Sequence, residues 1–192
     1  MRNKPKEKTK YDRVAVTLHW VMALAFFAML GSGLSFDNIP MSQSFKFNMY
    51  QWHKSLGVIL LIAFFIRIGW RLFHYPPKLP DKLSKIDKIG SKFGHWALYG
   101  AMIIMPLSGW AMVSSSSYGL PTIVFEWFTW PHIPDIAGNK MINGLAKDTH
   151  EIVAWIFIAL IIVHVGAVIK HAKFDHINLL KRMSFKKATR DD

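Results

Sequence analysis

Thr149 to Lys170 reads THEIVAWIFIALIIVHVGAVIK. The run is apolar over about 20 residues, the length a helix needs to cross a bilayer at about 1.5 Å rise per residue. It carries His150 and His164, 14 residues apart. On a helix that is about 21 Å of axis and close to four turns. Both imidazoles therefore leave nearly the same face, one in each half of a membrane. Ionisable side chains are costly in lipid and by default mark a functional site.

Working outward, three more apolar runs of similar length occur, at 14–34, 53–73 and 93–113, with the fourth at 149–170. Backbone in lipid must satisfy its own hydrogen bonds, so these runs predict helices. The expectation is an all-α, integral membrane four-helix bundle, one domain over residues 1–192. The composition agrees: 52% hydrophobic residues and a mean hydropathy of +0.20. The chain has no cysteine, which excludes disulfides, iron–sulfur clusters, thiolate zinc sites and covalently attached haem. No cleavable signal peptide is expected, because the first apolar run is too long for one. Pro106 is expected to kink the third span or to shift its backbone hydrogen bonds. The connection from Ser114 to Asp148 carries an aromatic patch, VFEWFTW, read as an interfacial helix or lid. Residues 1–13 read as loosely ordered, and the basic tail 171–192 as starting with a helix on the membrane surface. No internal repeat stands out.

Charge sets the expected orientation. Of the 24 lysines and arginines, 20 fall in the N-terminal segment, the second connection with its flank, and the C-terminal side. Lys46, Lys54, Lys140 and Lys147 fall on the other side. The positive-inside rule then places both termini in the cytoplasm. The same asymmetry accounts for the net charge of +12 through topology and anionic lipid, so no nucleic-acid partner is expected.

With that topology, His53 and His150 lie at the outer side and His19 and His164 at the inner side. Two histidine pairs at two depths in a four-helix bundle fit bis-histidine ligation of two stacked haems. A flat macrocycle also favours small residues one turn from its ligand. Ala23, Gly57 and Ala154 stand four residues after His19, His53 and His150, whereas Val168 follows His164. Small residues are common in membrane helix packing on any reading. A non-haem metal site would call for carboxylate or cysteine ligands at the same depth, which the spans scarcely supply. His95, followed at four residues by the bulky Tyr99, reads as a quinone contact or an alternative inner ligand. Arg67 lies 14 residues after His53. It reads either as the partner of a haem propionate or as a side chain reaching the headgroups.

At these residues the chain resembles the bacterial cytochrome b561 family. The matching pieces are LHW (Leu18 to Trp20), HKSLG (His53 to Gly57), RIGWR (Arg67 to Arg71) followed by Pro76 and Pro77, GHWALYGAMIIMPLSGW (Gly94 to Trp110) and HEIVAW (His150 to Trp155). They touch all four spans. The resemblance implies a bacterial inner-membrane protein with two b-type haems on His19, His53, His150 and His164. It also implies electron transfer between a periplasmic donor and the ubiquinone pool. Some members resemble superoxide oxidases, for which Lys54, beside His53, would be the anion contact. The outer segments hold those four lysines against five acidic residues, Asp37, Glu126, Asp135, Asp148 and Glu151, so no overall attraction for an anion is expected. Two alternatives follow from the same residues: a cytochrome b subunit serving a partner dehydrogenase or soluble cytochrome, and a haem-free, histidine-lined metal transporter.

Overall fold

The computed structural model describes residues 9–185. Four helices dominate: α1 (Arg13–Asn38), α2 (Gln43–Phe73), α3 (Lys85–Ser114) and α4 (Lys140–Lys173). All four are long and apolar enough to cross a membrane, and the chain is an all-α membrane four-helix bundle. Each contains its expected span and extends beyond it, most at the starts of α2, α3 and α4. Those starts are set by side-chain caps. Asp12, Ser42, Ser84 and Asn139 accept hydrogen bonds from the backbone N–H groups of Ala15, Phe45, Asp87 and Ile142. Each cap satisfies an N–H that the first helical turn leaves without a partner. The third helix continues through Pro106 without interruption.

The buried centre is small. Met22 and Phe26 of α1, Leu60 and Phe64 of α2, Ala101 of α3 and Phe157 of α4 pack together. Phe26 and Phe157 meet edge to face at 4.9 Å, a favoured aromatic geometry. Around this centre the outer faces are apolar and open: Leu24 is 70% exposed, Ile162 66% and Phe65 59%. A contiguous apolar surface of this kind is stable against lipid, not water.

The helices alternate in direction, so the bundle has two ends. At the end holding the first and last described residues, the termini end, the contacts are long-range in sequence. Tyr11 N–H donates to the carbonyl of Arg182, Trp20 Nε1 donates to the carbonyl of Met183, and Trp70 Nε1 donates to Asp12. Burial raises the Asp12 carboxyl, but the N–H groups of Ala15 and Trp70 outweigh it and hold the group below its ordinary range. Residues 9–12 are thus tied down, unlike the loose segment expected; residues 1–8 lie outside the described residues. The tail also differs from expectation. Its first residues continue α4 to Lys173, where His171 is buried against Asp175 at 2.6 Å. A short 3-10 turn, Leu180–Met183, then lies across the end of the bundle. Residues 186–192 lie outside the described residues.

At the opposite end, the aromatic patch is not a helix but part of a β-hairpin. Thr122–Val124 (β1) and Phe128–Trp130 (β2) form a small antiparallel hairpin, with Val124 opposite Phe128. Trp127 N–H donates to the carbonyl of Val124, and Phe125 and Glu126 both have positive φ, at 45° and 64°. Two successive positive φ values in a tight turn are a conformation that normally selects residues such as Asn and Gly. The hairpin is fastened to α2. Ser55 Oγ lies 3.0 Å from the carbonyl of Ile123 and 3.3 Å from the N–H of Phe125. Lys54 Nζ donates to the carbonyl of Pro121 at 3.0 Å.

Candidate functional site

Six histidines lie in the helices; besides His171 near the end of α4, five stand at two levels. At the hairpin end, His53 of α2 faces His150 of α4, with ring centroids 6.3 Å apart and planes at 65°. At the termini end, His19 of α1 faces His164 of α4 at 6.5 Å, and His95 of α3 approaches His164 at 5.7 Å. The spacing of 14 residues along α4 thus carries one ring to each level, as the helical period requires.

The separations allow a chemical test. Two imidazoles bound to opposite sides of one ion have ring centres roughly 6.2 Å apart, given metal–nitrogen bonds of about 2.0 Å and about 1.1 Å from nitrogen to ring centre. The facing pairs His53–His150 and His19–His164 stand close to that value, so the residues present fit a bis-imidazole iron. Among the described residues no three His, Asp or Glu side chains are grouped to hold one metal ion. The hairpin end holds a single pair, whereas at the termini end His95 stands beside the His19–His164 pair.

Protonation at the hairpin end follows from the hydrogen bonds. Ser32 Oγ donates to the carbonyl of Met29 at 2.9 Å. A hydroxyl has one proton to give, so its 2.8 Å contact with His53 Nδ1 is the ring donating to the hydroxyl. Ser108 Oγ likewise donates to the carbonyl of Met105 at 2.9 Å. His150 Nδ1 lies 3.1 Å from that hydroxyl and 3.0 Å from the same carbonyl, both of which accept. In each ring the proton sits on Nδ1, and the Nε2 lone pair is left for a metal.

Glycine at 109 lets α3 come this close to His150, whereas the approach of α1 to His53 leaves room for a Cβ. A Cβ on Gly33 would meet His53 Cε1 at 3.7 Å, and one on Gly109 would meet His150 Cε1 at 3.2 Å. At Gly57, expected to leave room beside a macrocycle, an added Cβ would meet the Met29 methyl at 3.5 Å.

The termini end is built differently. His95 Nδ1 donates to the carbonyl of Ser91, one turn back, at 2.6 Å. Arg67 Nη2 lies 3.4 Å from His19 Nδ1, so its guanidinium reaches the level of the histidines. Arg71 lies next to it, over the face of Tyr99 at 5.6 Å. Arg67, Arg71, Tyr99, Trp70, Leu18 and Met183 line a pocket that opens on this end.

Sequence reasoning missed Ser32, Ser108, Gly33, Gly109 and Met105. The signal was a repeat. His19, Trp20, Ala25, Met29, Ser32 and Gly33 recur in register as His95, Trp96, Ala101, Met105, Ser108 and Gly109. On the partner helices His53, Ile59 and Gly69 recur as His150, Ile156 and Gly166. The chain is therefore two related helix hairpins, α1–α2 and α3–α4. Equivalent positions make equivalent contacts: Ser32 with His53, and Ser108 with His150. Gaps of many variable apolar residues hide the match until the contacts align it. The register breaks at one chemically decisive place, where Arg67 stands in the first hairpin and His164 in the second.

Comparison with known proteins adds a family. A family model described as prokaryotic cytochrome b561 matches residues 10–186. The chain is also 28% identical over 174 residues to cytochrome b561 homolog 2 of Escherichia coli (strain K12), covering 91% of this chain and 90% of that protein.

Proposed function

The chain belongs to the prokaryotic cytochrome b561 family, and on that premise we propose that it is a di-haem b-type electron carrier of the bacterial inner membrane. In this reading His53 and His150 hold one haem and His19 and His164 the other, both termini are cytoplasmic, and ubiquinone is the partner at the inner side. The donor is periplasmic, with superoxide the first candidate to try. The observation that carries the reading is the pair of facing histidine couples at two levels, at 6.3 and 6.5 Å.

Bound haem supplies one-electron chemistry at iron. The remaining work falls to the chain. His53 and His150 present Nε2 lone pairs because their Nδ1 protons are engaged. The small apolar centre between the levels, with Phe26 against Phe157, keeps water and charge out of the space separating the two cofactors. Arg67 reaches the level of His19, where its guanidinium would be the partner for a haem propionate. His95, beside His164, contacts the quinone from the inner side. Lys54 engages the Pro121 carbonyl with one proton and keeps its others for an anion at the outer side.

The test is a dithionite-reduced minus oxidised spectrum of the detergent-purified chain, with haem measured per polypeptide. Two b-type haems per chain is the expected result. One haem overturns the assignment of one pair. Colourless protein from haem-replete cells overturns the reading and favours a histidine-lined metal path.

A further inference from the structure

Resting on the di-haem reading, we propose that Ser32 and Ser108 are positioning residues that set the electron donation of His53 and His150, and that they act unequally. The two serines hold matched positions in the repeat. Each lies on the helix that precedes its histidine's helix, and each fixes its own hydroxyl proton on the carbonyl three residues back. Each hydroxyl oxygen is thereby turned into an acceptor. The ring that donates to it gains imidazolate character and binds the more oxidised iron more strongly. A weaker acceptor at the same place leaves the ring a poorer donor and raises the haem's midpoint potential.

The two sides differ in what remains when the hydroxyl is removed. Among the described residues, His53 Nδ1 has Ser32 Oγ, at 2.8 Å, as its hydrogen-bond partner. His150 Nδ1 has Ser108 Oγ at 3.1 Å and also the Met105 carbonyl at 3.0 Å. A backbone carbonyl cannot be removed by side-chain substitution. Loss of Ser32 therefore leaves a buried ring proton without an acceptor, whereas loss of Ser108 leaves one acceptor in place. One haem face is adjustable through a side chain, and the other is held by the main chain.

The experiment is a spectroscopic redox titration of the haem-loaded full-length protein as wild type, Ser32→Ala, Ser108→Ala, Ser32→Thr and Ser32→Cys. Ser32→Ala is expected to raise the midpoint potential of one haem, the one lost in His150→Ala, and to leave the other unmoved. Ser108→Ala is expected to move the same haem in the same direction by less. Ser32→Thr, which keeps a hydroxyl, should titrate near wild type. If Ser32→Ala does not assemble, the size-matched Ser32→Cys, a weaker acceptor, should show the same upward shift. Two intact haems with wild-type potentials in both serine variants would overturn the proposal and leave the di-haem reading standing. So would equal movement of both haems, which marks a general loosening. A wild-type protein without haem removes both.

Discussion

A Cβ built on Gly109 stands 3.2 Å from Cε1 of His150 and 3.5 Å from its Nδ1. That is tighter than side chains normally tolerate, and the neighbour is a ring whose position is fixed by two hydrogen bonds. Its counterpart, Gly33, would bring a Cβ only to 3.7 Å from His53, an ordinary contact. Gly109→Ala is therefore expected to displace His150 and lower occupancy of the haem at the hairpin end. Gly33→Ala should keep both haems. Haem per polypeptide, with the α-band shape of each variant, checks the contrast.

The histidines should divide by level. Either His53→Ala or His150→Ala is expected to lose one haem, and either His19→Ala or His164→Ala the other, because one imidazole cannot hold b-type iron in its bis-histidine state. His95→Ala should keep two haems and slow quinone reduction. Retention of both haems in His164→Ala would place the inner iron elsewhere, and loss of a haem in His95→Ala would make His95 a ligand.

Arg67 should act as a local positive charge. Arg67→Leu is expected to lower the midpoint potential of the haem lost in His164→Ala, since a nearby cation disfavours the more positive oxidised iron. Arg67→Lys should recover part of the shift but not all, because an ammonium cannot form the paired geometry of a guanidinium with a carboxylate. A titration unchanged in both variants would place the guanidinium at the headgroups.

Orientation has its own check. A fluorescent protein that folds only in the cytoplasm should glow when fused after Asp192, and alkaline phosphatase fused there should be inactive. The reverse pattern would overturn the charge-based topology.

How much of this was legible from sequence depended on which force wrote each feature. Lipid writes in long apolar runs, so all four spans could be read. The helices overrun those runs because their starts answer to local capping, at Ser42, Ser84 and Asn139, where hydrophobicity is silent. The hairpin at 122–130 was not legible. Its turn puts Phe125 and Glu126 at positive φ, and neither residue advertises that conformation. Its register is held instead from outside, by Ser55 of α2. The histidine levels were legible because the helical period fixes them. The serines beneath the histidines were not, because a hydroxyl mid-helix commonly bonds its own backbone, and only the contact across helices shows that its oxygen also serves a neighbour.

The 3-10 turn at Leu180–Met183 closes the end of the bundle with main-chain and guanidinium contacts. Arg182 and Met183 accept from Tyr11 and Trp20, and the Arg182 side chain donates to the carbonyls of Pro77 and Lys78. These groups bracket nearly the whole polypeptide, from the start of α1 to the last described residues. During synthesis the first helix pair leaves the ribosome and enters the bilayer long before residue 180 exists. The end of the bundle near Tyr11 and Trp20 must therefore stay unlatched through most of translation. Maturation of the protein is thus ordered in time: the latch forms after the last helix, and a nascent chain stalled before it would sit fully inserted in the membrane yet open at the end where Tyr11 and Trp20 await their partners.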